Sequence, residues 1–346
     1  MDGSPPLYYF RQGGPQSKDK WVIHQQGGAW CTSLDDCYNR SLSRLGSSQP
    51  KYGWQAIMDF ATVPGCQNAR WCGGLFLNDP GKNHLTYDWN AVFIVYCDGG
   101  SQIGNNQSVT MYQNHRLYFD GHRILQAIIE NLVLTQELDE ATDIIVGGDS
   151  AGGLSTFLHL DEWARRFPSA RVTGVPDSGF FMDLNSSPTP FSQDMQWMYT
   201  QMNGSAALRP GCLSKFPPSL AYRCLFPEHF ASLINTPMFI LQSQYDEYQI
   251  QSVLGSNKTS DVESLGGKIQ AAVSSVVSGS KHHGGFLDSC YHHCGGWGMK
   301  QDMDYLIKIS GDTAMTAFVK WYKGNGNKLW VQDQPYPCNT CCSQSP

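Results

Sequence analysis

Gly147-Gly-Asp-Ser150-Ala-Gly-Gly153 contains the pattern Gly-x-Ser-x-Gly, in which a serine occupies a sharp turn between a strand and a helix. The flanking residues have to be small, because the strand and the helix approach each other closely at such a turn. The surroundings of the motif agree with this placement. Asp143 to Val146 has the apolar run of a buried strand, and Gly153 to Phe167 has the spacing of an amphipathic helix. The segment therefore predicts a strand, a strained turn at Ser150 and a helix.

The same alternation of strands and helices extends along the chain. A second helix is predicted from Asp120 to Thr135, where isoleucine and leucine recur on one face. Short apolar runs that end in glycine-rich or polar residues predict further strands at Trp21 to His24, Ala91 to Tyr96 and Met238 to Leu241. This pattern is typical of α/β proteins. We expect a mostly parallel central sheet with helices on both faces and the functional loops at one edge.

We expect the 346 residues to form a single domain with two irregular regions. Residues 180–235 are rich in proline and interrupt the alternation, which indicates an inserted segment that forms a lid or a pocket wall. Residues 335–346 are rich in cysteine and proline, which indicates a C-terminal segment held by disulfides.

The net charge of the chain and the length of its apolar runs argue against nucleic-acid binding and membrane spanning. There are 24 lysines and arginines against 30 aspartates and glutamates, so the net charge is −6 and disfavours binding to nucleic acid or anionic lipid. The longest apolar run, Ala91 to Cys97, falls far short of the roughly 20 residues that cross a bilayer. We therefore expect no nucleic-acid partner and no membrane span. We also expect a monomer.

The chain contains 12 cysteines, which is typical of proteins from oxidising compartments. Short separations favour the pairs Cys31/Cys37, Cys66/Cys72 and Cys212/Cys224. Glycosylation sequons occur at Asn39, Asn106, Asn185, Asn203 and Asn257. Met1 to Pro6 lacks the basic and apolar pattern of a signal peptide. We expect a secreted protein, extracellular or in a cell wall, whose leader is absent from this sequence.

The Ser150 turn also predicts a site that stabilises negative charge. Ser150 lies at the N-terminus of a helix, where unpaired backbone N–H groups and the helix dipole favour a developing oxyanion. We expect the N–H of Ala151 to be one donor. Gly27-Gly-Ala-Trp30 follows the first predicted strand as a glycine-rich oxyanion loop would, so Gly28 and Ala29 are the expected further donors.

A serine nucleophile of this kind needs an acid and a base, which follow it in the chain in that order. The strand from Met238 to Leu241 leads to Asp246 and Glu247, of which only one can face inward. We predict that Asp246 is the acid and that Glu247 is solvated. The candidates for the base are His282, His283, His292 and His293.

A metal site is the main alternative for the last of these histidines. Cys290-Tyr-His-His293-Cys294 combines thiols and imidazoles at a spacing that could hold zinc. In an oxidising compartment these cysteines are expected to form disulfides instead, which would fix the loop and hold a histidine over Ser150. We favour the disulfide interpretation.

Ordered motifs along almost the whole chain resemble the pectin acetylesterases and their animal relatives, the Notum carboxylesterases. The matching motifs are Gly27-Gly-Ala-Trp-Cys31, Tyr96-Cys-Asp-Gly99, Gly148-Asp-Ser-Ala-Gly-Gly153, Asp177-Ser-Gly-Phe-Phe181, Tyr245-Asp246, Asp288-Ser-Cys-Tyr-His-His-Cys294 and Pro335-Tyr-Pro-Cys338. The resemblance implies an α/β-hydrolase fold, secretion and several disulfides. It also implies that His293 is the base and that His292 is only its neighbour.

Two positions depart from the plant members of this family. Gln26 and Ala29 replace a glutamate and a glycine, and Ala29 adds a methyl group beside the expected oxyanion hole. Asp149 precedes the serine where plant members often have cysteine. Neither change affects Ser150, Asp246 or His293.

These observations predict a serine esterase that acts through an acyl-enzyme, with no metal and no organic cofactor. The first expected substrate is an acetylated polysaccharide such as pectin. Candidates for sugar stacking are Trp30, Trp54, Trp71, Trp89, Trp197 and Trp297, although core packing is the favoured explanation for any single one of them.

Two alternatives have other requirements. Removal of a longer acyl chain from a lipidated protein, as in Notum, needs a deep apolar pocket. The inserted segment offers apolar residues that could line one, namely Phe180, Phe181, Met182, Phe191, Met195, Trp197 and Met198. A catalytically silent relative that binds glycans or proteins is the other alternative, and the complete set of Ser150, Asp246 and His293 disfavours it.

Overall fold

The computed structural model describes residues 1–49, 51, 74–184, 189–294, 307–338 and 342. Its centre is an eight-stranded sheet in the order β1-β3-β2-β6-β7-β8-β9-β10. The strands are β1 (Tyr8–Arg11), β2 (Lys20–Gln25), β3 (Asn90–Ile94), β6 (Asp143–Asp149), β7 (Arg171–Asp177), β8 (Phe239–Asp246), β9 (Gly284–His292) and β10 (Leu329–Val331). Only β1 runs antiparallel to its neighbour, so the remaining strands end at the same edge. A separate hairpin consists of β4 (Thr110–Tyr112) and β5 (His115–Leu117).

Helices follow most of these strands. The α-helices are α1 (Leu34–Ser41), α2 (Gly121–Gln136), α3 (Ala151–Arg166), α4 (Pro190–Gln201), α5 (Pro210–Leu213), α6 (Pro227–Phe230), α7 (Thr259–Ser278) and α8 (Ala314–Tyr322). Short 3₁₀ turns occur at Gly74–Phe76, Leu138–Glu140, Gly204–Ala207, Pro218–Leu225 and Ala231–Leu233, and a π-helix at Gln249–Leu254 follows β8.

The central strands are buried on both faces, which is why they are nearly continuous apolar runs. All residues of β3 and β8 are buried. On one face, Ile144 and Val146 of β6 belong to the core that includes residues of α2, α3 and α7. On the other, Ile145 packs in a second core with residues of α8. The expected α/β architecture with helices on both faces is confirmed.

The predicted elements are present with shifted ends. β6 and β8 continue beyond Val146 and Leu241, to Asp149 and Asp246, and so carry the polar residues of the strand ends. β3 stops at Ile94, two residues before the predicted end. Within residues 180–235, the described part folds as the short helices α4 to α6 and 3₁₀ turns between β7 and β8. No helix among the described residues is long and apolar enough to cross a membrane.

Disulfides fix several of the connecting segments. The predicted pairs Cys31–Cys37 and Cys212–Cys224 are present. The predicted Cys66/Cys72 pair lies outside the described residues. Cys290 pairs with Cys342, which ties the end of β9 to the C-terminal segment. The free thiols among the described cysteines are Cys97 and Cys294, both buried.

Candidate active site

Ser150, His293 and Asp246 form one chain of hydrogen bonds at the carboxyl edge of the sheet. The Ser150 Oγ lies 2.8 Å from His293 Nε2. On the other side of the ring, Nδ1 lies 2.9 Å from Asp246 Oδ2 and 3.0 Å from Oδ1. These residues come from the ends of three different elements, β6, β8 and β9. The structure thus brings together the three side chains that the sequence singles out as nucleophile, base and acid.

Ser150 occupies the strained turn that its motif predicts. Its φ is 54°, a value that side-chain-bearing residues rarely adopt, and its backbone N–H donates to the Asp177 carbonyl at 2.9 Å. The turn leaves no room for side chains beside it. A Cβ atom on Gly152 would lie 2.0 Å from the Gln25 carbonyl oxygen, and one on Gly148 would lie 2.4 Å from the Gly152 carbonyl oxygen. The glycines of the motif therefore allow strand β6 and helix α3 to meet at Ser150.

Asp246 is fully buried at the end of β8 and is held from two sides. The Gln249 backbone N–H donates to Oδ1 at 2.9 Å, and the Gln242 side-chain amide donates to Oδ2 at 3.1 Å. Neighbouring Glu247 is half-buried and accepts a hydrogen bond from Gln251. The geometry agrees with the choice of Asp246 over Glu247, because only Asp246 contacts the imidazole.

His293 follows β9 directly and is wedged between aromatic rings. The Tyr248 ring stacks on it at a centroid distance of 5.2 Å, and the Phe181 ring lies at 6.3 Å. Burial of the imidazole lowers the pKa of His293, but the charge of Asp246 and its hydrogen bond to Nδ1 outweigh this, so the pKa is raised above the usual histidine value. The adjacent Cys294 N–H donates to Ser178 Oγ at 2.9 Å, which fixes the loop.

The other three candidate histidines make no contact with Ser150 in the structure. His282 is exposed on the loop before β9, and His283 Nε2 contacts the Ile234 carbonyl at 3.1 Å. His292 is buried with Nε2 at 2.9 Å from Asp288 Oδ1. Burial lowers the pKa of His292, but Asp288 outweighs this and raises it to about 9. Only His293 contacts Ser150, as the family resemblance implies.

The zinc alternative for residues 290–294 is not supported. The Cys290 sulfur is bonded to Cys342, and His293 is engaged with Ser150 and Asp246. The Cys294 sulfur is buried and unbonded, and burial raises the pKa of its thiol well above the usual value. The disulfide interpretation holds for Cys290 and is wrong for Cys294, which remains a buried thiol.

The predicted oxyanion loop lies beside the serine turn and contains unpaired backbone donors. Ala29 has a φ of 54° and Gly28 a φ of 153°, and within the described residues the N–H groups of Gly28, Ala29 and Ala151 have no protein acceptor. The loop carbonyls are held from outside. Arg40 Nη1 donates to the Gly28 carbonyl at 2.8 Å, and the Tyr96 hydroxyl donates to the Ala29 carbonyl at 2.7 Å. These contacts hold the loop by its carbonyl groups. The three unpaired N–H groups are available to a developing oxyanion.

Asp149 joins the serine turn to this loop, a role that sequence patterns do not reveal. Its Oδ1 accepts the Gly27 N–H at 3.1 Å and lies 2.7 Å from His24 Nε2. The His24 ring is itself stacked on Phe93. Gln26, the other departure from the plant pattern, accepts the Tyr96 N–H at 2.9 Å. Both unusual residues thus support the oxyanion loop.

Comparison with known proteins decides the family. The pectinacetylesterase family model matches residues 1–343. Pectin acetylesterase 5 of Arabidopsis thaliana is 32% identical over 372 residues, which cover 99% of this chain and 81% of the relative. The chain belongs to the pectinacetylesterase family. It is therefore a carboxylic ester hydrolase.

More distant similarity extends to animal proteins. The palmitoleoyl-protein carboxylesterase NOTUM of Schmidtea mediterranea is 28% identical to this chain. The similarity covers 77% of this chain and 51% of the relative. The structure of the Wnt deacylase Notum from Drosophila matches with a TM-score of 0.76 and 24% identity, over 99% of this chain and 95% of that one. The α/β-hydrolase fold implied by the motifs is confirmed.

An aromatic cluster closes one side of the site in this family member. It consists of Trp30, Phe181, Phe191 and Tyr248, and the Trp30 and Phe181 rings meet edge to face at 4.9 Å. Trp30 is buried here and Trp89 is buried in the core, so neither offers a face to a sugar. Trp197 is partly exposed, and Trp54, Trp71 and Trp297 lie outside the described residues.

Proposed function

We propose that the protein is a serine esterase that removes acetyl groups from an acetylated polysaccharide such as pectin. The observation that carries the proposal is the hydrogen-bonded chain of Ser150, His293 and Asp246 beside three unpaired backbone N–H groups. The full-length similarity to pectin acetylesterases supports the same substrate class.

The proposed mechanism proceeds through an acyl-enzyme. His293 Nε2 takes the Ser150 hydroxyl proton while Oγ attacks the ester carbonyl carbon, and Asp246 orients the ring and stabilises the imidazolium. The carbonyl oxygen becomes an oxyanion that accepts hydrogen bonds from the N–H groups of Gly28, Ala29 and Ala151. The tetrahedral intermediate then collapses, the bond from the acyl carbon to the sugar oxygen breaks, and His293 gives its proton to that oxygen, which leaves as a hydroxyl. A water molecule then attacks the acyl carbon while His293 takes its proton, and acetate and free Ser150 are released.

Packing around the site favours a short acyl group over a long one. Of the seven apolar residues of the inserted segment that could line a deep pocket, Trp197 is partly exposed and the other six are buried among themselves and in the core, namely Phe180, Phe181, Met182, Phe191, Met195 and Met198. A long acyl chain would need space that these side chains occupy. The described disulfides support a secreted location, since such bonds persist in oxidising compartments.

The direct test is release of acetate from acetylated pectin and of nitrophenol from p-nitrophenyl acetate. A serine-reactive phosphonate should abolish both rates and add one label per chain, which peptide mapping should locate at Ser150. A folded protein that neither hydrolyses these esters nor takes up the label would instead support the silent glycan-binding relative.

Acyl-length selectivity should follow from the aromatic cluster. We expect kcat/KM for p-nitrophenyl acetate to exceed that for the octanoate by about tenfold or more. Phe191→Ala should narrow this ratio, because Phe191 packs on Trp30, Phe181 and Tyr248. Phe318→Ala is the matched control, because Phe318 is also buried but lies in the core on the opposite face of the sheet. This variant should be less stable, while its ratio of kcat/KM for acetate to kcat/KM for octanoate stays at the wild-type value. Octanoate preference in the wild type would favour the longer-acyl alternative.

The rate should fall in acid, because a protonated His293 cannot accept the serine proton. The pKa of His293 is raised, so the inflection of kcat/KM should lie above the usual histidine value of about 6.5, and the rate should drop roughly tenfold per pH unit below it. Stopped assays with p-nitrophenyl acetate between pH 5 and 9 measure this, and circular dichroism at each pH checks that the fold is intact. A rate that stays flat down to pH 5 would exclude His293 as the base.

A further inference from the structure

His122, His159 and Glu162 form a cluster of potential metal ligands away from the serine. His159 and Glu162 lie on successive turns of α3, and His122 lies in the first turn of α2. One ligand atom from each lies within 4.8 Å of the others, and this is the one such cluster of three found among the residues that the structure describes. The two imidazole rings stack with an interplanar angle of 17°. We propose that the cluster is a zinc site that ties α2 to α3.

The ligand atoms already converge without a metal. His122 Nε2 lies 3.0 Å from Glu162 Oε1, and His159 Nδ1 lies 3.1 Å from Glu162 Oε2. Ligand atoms of a tetrahedral zinc ion, at bonds of about 2.1 Å, stand roughly 3.4 Å apart, which is close to these two spacings. Because the two imidazole rings are nearly parallel, one of them has to turn out of the stack so that both nitrogen lone pairs point at the ion. Two imidazoles and one carboxylate are a ligand set that zinc uses together with water.

The surroundings orient these ligands. Gln126 Nε2 donates to Glu162 Oε1 at 2.9 Å, which is the kind of outer contact that fixes a ligating carboxylate. His159 is buried, and its Nε2 has no hydrogen-bond partner among the described residues, so the only polar contact of the ring is directed into the cluster. The His122 side chain keeps 18% of its exposure, so this ring has room to turn out of the stack with His159 toward an ion.

An ion and its water ligand can reach the site. The Glu162 side chain retains 28% of its exposure and the His122 side chain 18%. Glu162 also lines a surface cavity of about 410 Å³ together with Leu158, Arg165 and Leu208. The cluster is 9 to 12 residues along α3 from Ser150, which corresponds to roughly 14 to 18 Å. The ion would therefore stabilise the helix layer and take no part in ester hydrolysis.

Zinc titration of the whole chain tests this inference. After treatment with a chelator and dialysis, the protein should take up one zinc ion per chain by calorimetry and elemental analysis. Saturating zinc should raise the melting temperature on the order of 4 °C. Glu162→Gln and His122→Gln should each weaken binding at least tenfold and remove the thermal shift, while esterase activity stays unchanged.

His229→Gln is the matched control, because His229 also contacts a carboxylate, that of Asp183 at 2.8 Å, but is not part of the cluster. This variant should bind zinc as the wild type does. His122 is partly exposed, so its variant keeps the test valid if the Glu162 variant does not fold. Absence of zinc uptake by the wild type, or equal uptake by all variants, would show that the three residues form only a hydrogen-bonded cluster.

Discussion

Ser150→Ala should lower kcat for p-nitrophenyl acetate by about 10⁶-fold, the size of effect expected when a serine nucleophile is removed from a working triad. The variant lacks the oxygen that forms the acyl-enzyme, while the three N–H donors and the His293–Asp246 pair remain. Any residual rate would come from water attacking an ester bound in the oxyanion hole. The measurement is a long-time assay with purified variant, corrected for the uncatalysed rate.

Stability distinguishes loss of chemistry from loss of fold. Within the described part of the chain, the Ser150 side chain makes one hydrogen bond, to His293, and alanine fits in its place, so the melting temperature should change little. Alanine at this position should tolerate the φ of 54° about as well as serine does. Ser169→Ala is the matched control, because Ser169 is exposed on the loop between α3 and β7, at the opposite edge of the sheet. A folded Ser150→Ala protein with wild-type activity would overturn the assignment of the nucleophile.

The part of the fold around Ser150 could be predicted because its local signals agree with the global structure. The apolar run of β6, the small residues of the turn and the amphipathic pattern of α3 each indicate the same arrangement. Two interior strands of the sheet gave weaker signals. β7 contains Gly174 and Pro176, and β9 begins with two glycines and includes Asp288 and Ser289, so neither has a typical strand composition.

The residues that support the site were harder to predict than the triad itself. His24, Gly27 and Asp149 meet only because β2 and β6 are neighbours in the sheet, and nothing in their local sequence indicates that contact. The choice between His292 and His293 likewise depends on which way each ring points at the end of β9. The residues alone left both histidines as candidates for the base, and the family resemblance indicated His293. Pairing of Cys290 with Cys342 spans 52 residues and has no local signal.

The second large effect is expected for Asp246→Asn, because the amide cannot replace the carboxylate in either orientation. Asp246 accepts from Gln249 N–H on Oδ1, from Gln242 Nε2 on Oδ2 and from His293 Nδ1 on both oxygens. Wherever the amide NH₂ group points, it meets a donor. The least costly solution leaves Nδ1 of His293 unprotonated, and the ring then carries its proton on Nε2 and cannot accept one from Ser150. We expect kcat to fall about 10⁴-fold.

Glu247→Gln is the control for this substitution, since it makes the same chemical change one residue further along, at a half-buried side chain that does not touch the imidazole. It should keep nearly full activity. The rate of labelling by the serine-reactive phosphonate adds a readout that a purely structural role would not move, because labelling depends on activation of Ser150 by His293. Labelling should slow in parallel with kcat in Asp246→Asn while the melting temperature falls only modestly. If Asp246→Asn keeps more than a tenth of the wild-type rate in both measurements, the orientation of His293 does not depend on this carboxylate, and the acid must be sought elsewhere in the site.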